Sequence, residues 1–191
     1  MQILFKRIFS FFLDFLETIV VALSIFVVIY LFLFQPHEVK GASMESNFHD
    51  GEYILTDKIS YRFREPARGE VIIFKAPKNP DIDYIKRIIG LPGETVKVDN
   101  GYVWVNAKKL VEDYIHDQTT ILGSGFISEG QDAVVPVNEY FVMGDNRPHS
   151  SDSREFGPIP KSSIIGRALI RYWPPPNLGM IPQIQYNFGI N

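Results

Sequence analysis

The chain has 191 residues, 46% of them hydrophobic, a formal net charge of -3 and no cysteine. That is enough for one domain with its own core, while the mixed charge, without a Lys/Arg stripe or zinc-type Cys/His spacing, gives no support for a nucleic-acid partner. Lack of cysteine removes disulfides and thiol catalysis and says little about compartment.

The first informative segment is apolar. Thr18 to Phe34 carries no charged residue, and Ile8 to Leu16 extends the run with Asp14 as its one charged interruption. About 17 residues at ~1.5 Å rise span about 25 Å, slightly under a hydrocarbon core. Asp14 and Glu17 then sit near one interface, where a carboxylate reaches water. A buried core helix is the plain alternative, but this run is apolar on all faces. A cleavable leader fits the basic Lys6-Arg7 start and the small Gly41-Ala42-Ser43. However, the run exceeds the usual leader core, and Gln35-Pro36-His37-Glu38 separates it from the small residues. The reading is an uncleaved, single-pass anchor over residues 1–36 with a body over 37–191. Lys6 and Arg7 precede the segment and only Lys40 follows closely, which predicts an inside start and an outside body.

After the anchor the pattern changes to short β-type runs: Tyr53-Leu55, Val71-Phe74, Tyr84-Ile89, Thr95-Val98, Tyr102-Val105, Glu139-Met143 and Ile164-Trp173. Asn100-Gly101 is a strong hairpin signal between two of them. Ala133-Val137 reads as an edge strand because of Pro136. No long helical period appears outside the anchor, so the body is mostly antiparallel β. Residues 106–135 are weakly patterned and read as a small inserted subdomain or a mobile excursion. The tail from Trp173 onward suits either packing on the body or lying at a membrane interface.

Three stretches carry candidate chemistry. Ser43 follows two small residues that let a substrate backbone approach closely, and it lies only a few residues beyond the anchor. His37, His49, His116 and His149 share no motif, and Gly41-Glu45 lacks the last glycine of a nucleophile elbow, so a Ser-His-Asp triad is poorly supported. Lys86 sits inside an apolar strand, with Tyr84 and Ile88 on its face by alternation. Burial disfavours an ammonium, so such a lysine can act as a base. The third stretch packs Asp145, Arg147, Asp152 and Arg154 among small residues, where carboxylates and guanidinium groups pair in fixed geometry. It lacks the acidic spacing of a calcium loop.

Taken together and in order, these stretches resemble the bacterial type I signal peptidases. The resemblance rests on Ser43-Met44 just after the anchor, Gly69-Glu70-Val71-Ile72-Ile73-Phe74, Lys86 to Glu94 with its Gly90-Leu91-Pro92-Gly93, and Gly144 to Gly157. It implies the signal peptidase-type antiparallel β fold, preceded by one transmembrane helix. It further implies a Ser/Lys dyad with Ser43 as nucleophile and Lys86 as base. Ser150 would orient the lysine amine, while Asp145, Arg147, Asp152 and Arg154 maintain the site. Gly41 and Met44 would shape the nucleophile turn, and Tyr84 and Ile85 would bind substrate. The implied partners are the signal peptides of exported preproteins, the lipid bilayer and the export machinery. No metal or organic cofactor is implied, and the place is the bacterial cytoplasmic membrane, with the catalytic body on its outer face.

The chain departs from the family pattern in three places. Glu70 stands for the usual Asp. Ser46-Asn47-Phe48 replaces Pro-Thr-Leu, which loosens the turn after the nucleophile. Gly41 replaces a Ser or Thr whose side chain donates to the oxyanion, leaving the Ser43 N–H as backbone donor. These changes keep open a specialised processing peptidase for pilin or conjugation substrates. A catalytically silent, anchored peptide-binding domain is the alternative from another class, and intact Ser43 and Lys86 argue against it.

Overall fold

One helix, α1 (Gln2–Phe32), precedes all the β structure in the computed structural model, which describes residues 2–45, 47–121 and 125–186. Its apolar span, Lys6–Tyr30, has 25 residues, and none of it is buried against the body. At ~1.5 Å per residue that is about 38 Å, enough to cross a hydrocarbon core of ~30 Å. An apolar helix with every face exposed is not a core helix of the body.

The strands are β1 (Phe34–Glu38), β2 (Tyr53–Asp57), β3 (Val71–Ala76), β4 (Asn79–Gly90), β5 (Thr95–Asp99), β6 (Tyr102–Val105), β7 (Lys108–Lys109), β8 (Ala133–Val134), β9 (Glu139–Met143), β10 (Ile159–Pro160), β11 (Ile164–Trp173) and β12 (Gly179–Met180). A one-turn helix, α2 (Ser153–Phe156), follows the third motif. The larger sheet runs β1-β2-β11-β3-β4-β9-β10, with β12 beside β11. The smaller runs β7-β6-β5-β8. Every pairing is antiparallel, as the alternating apolar pattern predicts. The Asn100-Gly101 pair turns β5 into β6 with positive φ at both residues, the requirement of a two-residue hairpin.

Two readings of the strands need correction. β1 lies where Gln35-Pro36-His37-Glu38 reads only as a separator. Proline is tolerated because β1 is an edge strand paired to β2 alone, so its missing N–H breaks no second ladder. At the other end, the expected strand over Ala133–Val137 stops at Val134. Val135 instead exchanges hydrogen bonds with the turn after β4, its N–H donating to Glu94 and its carbonyl accepting from Gly93.

The apolar alternation builds three packed clusters. Val39, Met44, Phe48, Ile54, Ile73 and Ile85 lie under the nucleophile turn. Ile72, Phe74, Ile88 and Val142 pack on the opposite side of β3 and β4. A third cluster joins Val96, Val98 and Val103 of the small sheet to Ile89, Phe141 and Met143 of the large one. Leu110 and Ile127 also belong to that cluster, so residues 106–135 begin and end in the small sheet and share its core. The tail does two things. Tyr186 packs on the body and meets Tyr114, while Trp173, Leu178 and Met180 stay more than half exposed.

Candidate active site

Lys86 is fixed first, because its strand is fixed on both sides. β4 pairs with β3 through Ile72↔Lys86 and with β9 through Arg87↔Met143. The side chain is only 3% exposed. Its Nζ stands 2.8 Å from Ser43 Oγ and donates to the carbonyl of Ile85 at 2.9 Å. The Tyr84 ring lies 5.2 Å away, centre to amine. Burial pushes the ammonium down from 10.5 to about 8. The Asp152 and Asp145 carboxylates pull it back up, and Arg154 adds to the lowering. A base that is neutral in about a tenth of molecules at pH 7 follows from that value.

Ser43 sits on a turn that the third motif holds from outside. Asn146 donates its backbone N–H to the Ser43 carbonyl at 3.1 Å and its side-chain amide to the Ala42 carbonyl at 2.9 Å. Met44 is fully buried, and its Sδ accepts the Asp145 N–H at 3.4 Å. Gly41 has φ +83°, and its N–H donates to Asp50 at 2.6 Å. Any side chain there would strain the backbone, so conformation and not space disfavours a hydroxyl at this position. Gly144 is the reverse case. A Cβ there would come within 2.4 Å of the Ser43 carbonyl and 2.2 Å of Ser150 Oγ. Only glycine lets the two chain segments approach this closely.

The expected charge pairs exist in a different pattern. Asp152 and Arg154 pair with each other through two 2.8 Å contacts. Burial pushes the Asp152 carboxyl up, but Arg154 outweighs it and holds the group below the usual carboxylate value. Asp145 and Arg147, however, pair outside their loop. Asp145 takes a fork from Arg87 at 2.8 and 2.5 Å, both groups buried. Arg147 forks onto Glu112 at 2.8 and 2.5 Å. The Ser150 hydroxyl makes no hydrogen bond to Lys86 and stands against Gly144 instead.

Sequence reasoning missed Arg87, Glu112, Asn47 and Gly144. The sequence gives Arg87 no partner, whereas strand alternation turns it to the face opposite Lys86 and onto Asp145. Glu112 lies 35 positions from its partner in a weakly patterned stretch, and no local signal marks it. Asn47 donates to Asp145 and to the Tyr114 carbonyl, both at 2.9 Å. This tie supports the turn that lacks the usual proline. Ser46, which takes the proline's place, lies outside the described residues.

A cleft of about 790 Å³ opens at Ser43 and Lys86. Residues 36–43 form one wall and 81–86 the other, so Tyr84 and Ile85 both line it. β1 pairs on one side only, and β4 meets β9 only from Arg87 onward. Two backbone edges therefore border the cleft. Among the described residues no cluster of three His, Asp or Glu is gathered to hold a metal.

The sequence matches the family described as signal peptidase, peptidase S26, over residues 12–173. A probable signal peptidase I-2 of Synechocystis sp. is 37% identical over 170 residues, 86% of this chain and 75% of that protein. Signal peptidase IB of Staphylococcus aureus strain MRSA252 is 35% identical over 188 residues, 93% of this chain and 94% of that protein. A crystal structure of a signal peptidase I from Enterococcus faecalis is 35% identical with a TM-score of 0.43, covering 55% of this chain and 97% of that one. With the family match covering most of the sequence and two curated relatives above 30% identity, the chain belongs to the signal peptidase family S26.

Proposed function

We propose that this signal peptidase cuts with Ser43 as nucleophile and Lys86 as general base. The observation that carries the reading is the 2.8 Å contact between a serine hydroxyl and a desolvated amine. Neutral Lys86 takes the Ser43 proton as Oγ attacks the scissile carbonyl. The Ser43 N–H faces the developing oxyanion, since Gly41 offers no side-chain donor. Collapse expels the new amino terminus, which leaves with the proton held by Lys86. Water then attacks the acyl-enzyme with Lys86 again as base, and the serine is regenerated. Asp145, Arg147, Asp152 and Arg154 hold the loop that grips the nucleophile turn.

Substrate lies extended between the two open edges, adding main-chain hydrogen bonds as a strand would. The substrates are signal peptides of preproteins, with small residues at the first and third positions before the cut. The test is cleavage of a preprotein panel with N-terminal sequencing of the products. Ala→Leu at either substrate position should lower kcat/KM at least ~10-fold, the scale set by a few methylenes in a tight pocket. Equal cleavage of the Ala and Leu forms would remove the assignment.

On this reading α1 anchors the body to the cytoplasmic membrane, and Lys6 and Arg7 before the span support an outer-face body. Protease added to intact spheroplasts should digest the body. Protection until lysis would reverse the orientation.

A further inference from the structure

The cleft changes character along its length. Its aliphatic lining is Ile54, Ile73 and Ile85, with Ile85 next to Lys86 and Ile54 opposite His37. Further along, His37 from β1 and Asp83 from β4 meet across it, Nε2 to Oδ2 at 3.3 Å. The two are part of a longer chain of polar contacts. Thr56 Oγ1 lies 2.8 Å from His37 Nδ1, and Lys75 Nζ lies 2.8 Å from the other Asp83 oxygen. Burial lowers the affinity of His37 for a second proton, although Asp83 works the other way. In the neutral ring, Nδ1 accepts from the buried Thr56 hydroxyl, and Nε2 lies beside Asp83 without an aligned hydrogen bond. Asp83 lines the cleft with its side chain 26% exposed, and among the described residues no side-chain donor hydrogen-bonds its Oδ2.

Strand geometry says which substrate residue reaches this pair. Ile85 and Asp83 are two residues apart on β4, opposite Ile73 and Lys75, with regular register between them. They share a face and lie about 6.6–6.8 Å apart along it. An extended substrate has the same spacing between same-face side chains. If the residue before the cut sits at Ile85, the residue two places upstream sits at Asp83 and His37. This step rests on the cleft being the substrate cleft.

We propose that His37 and Asp83 form a polar subsite that makes this peptidase select a hydroxyl side chain, Thr or Ser, at the third position before the cut. The substrate hydroxyl donates to the Asp83 carboxylate, which His37 holds in place. Thr and Val have nearly the same shape, so the choice between them reports the hydrogen bond and not the size of the pocket. An apolar pocket would take Val at least as well as Thr, whereas a built acceptor penalises the analogue that cannot donate.

The experiment uses the full-length enzyme in detergent and four peptides that differ only at the third position: Ala, Ser, Thr and Val. Wild type should cleave the Thr peptide with kcat/KM about tenfold above the Val peptide. His37→Phe should bring that ratio to one or below, while His37→Gln, which keeps an N–H beside Asp83, should keep it above one. The ratio is independent of the fraction of enzyme that is active, so partial misfolding of a variant does not disturb it. A wild-type ratio at or below one overturns the proposal, and so does a ratio that His37→Phe leaves unchanged. Either result leaves the Ser43 and Lys86 reading untouched, because that reading fails only if cleavage persists without the serine or the lysine.

Discussion

Lys86→Met and Lys86→Arg should each lower kcat/KM for a preprotein on the order of 10²–10⁴-fold, the range for losing a general base. Methionine fits the same linear, apolar space but takes no proton. Arginine stays protonated at any working pH. In the wild type, kcat/KM should rise with pH through about 8, because only the neutral amine accepts the Ser43 proton. Near-normal turnover by Lys86→Arg, or an unchanged pH profile in Lys86→Met, would show that Lys86 is not the base. Stability should move the other way. Lowering the amine from 10.5 to about 8 corresponds to about 3 kcal/mol of folding free energy lost while the amine is charged. Below pH 8 it is charged in both the folded and unfolded chain, and the full loss applies. Above 10.5 it is neutral in both, and the loss vanishes. Lys86→Met should therefore melt higher than wild type at pH 7, with the gap closing as pH rises from 8 to 10.5.

Asp145→Ala should destabilise the body by about 3–5 kcal/mol, read as a lower urea midpoint at unchanged slope. The size follows from what the change leaves behind. Arg87 is 3% exposed, and its fork onto Asp145 would be empty. Its other contacts, the Gly69 carbonyl at 2.8 Å and the Tyr114 ring at 4.5 Å, carry no negative charge. Removing both partners, as Arg87→Met with Asp145→Leu, should recover most of the loss, because no charge is then stranded. Activity should not return with stability. Asp145 also accepts from Asn47 in the nucleophile turn, and the double variant cannot restore that bond. A single-variant loss under about 1 kcal/mol would mean that water reaches Arg87 and the pair is not a support.

Much of this architecture was legible in the chain because its signals are local. Alternating apolar residues marked most strands, Asn100-Gly101 marked the hairpin, and an apolar strand around Lys86 marked a desolvated amine. β1 was hidden because proline ordinarily argues against a strand, and only its edge position makes Pro36 harmless. The wiring of the charged loop was hidden for a different reason. Four charges within ten residues read as a closed set, yet Asp145 and Arg147 satisfy their valence with Arg87 and Glu112. Which partner each finds depends on sheet register and on where residues 106–135 fold back. Neither is written in any short window. Gly144 was unreadable as well, since its requirement comes from Ser43 and Ser150, which the fold brings to it.

The junction between helix and body has a consequence for how enzyme and substrate meet. α1 ends at Phe32 and β1 begins at Phe34, with Leu33 bonded back to Ile29 and, through its carbonyl, to Lys58. No slack chain lies between them, so the body cannot swing freely at the end of a leash. The mouth of the cleft moves with the end of the helix. A preprotein held by its own apolar segment drifts in the same plane. Encounter becomes a search over an area instead of through a volume, and its odds depend on how many molecules share a patch of membrane. Such an enzyme has little need to grip its substrate tightly. On the proposed reading, few contacts to the substrate are needed once the membrane holds it beside the cleft.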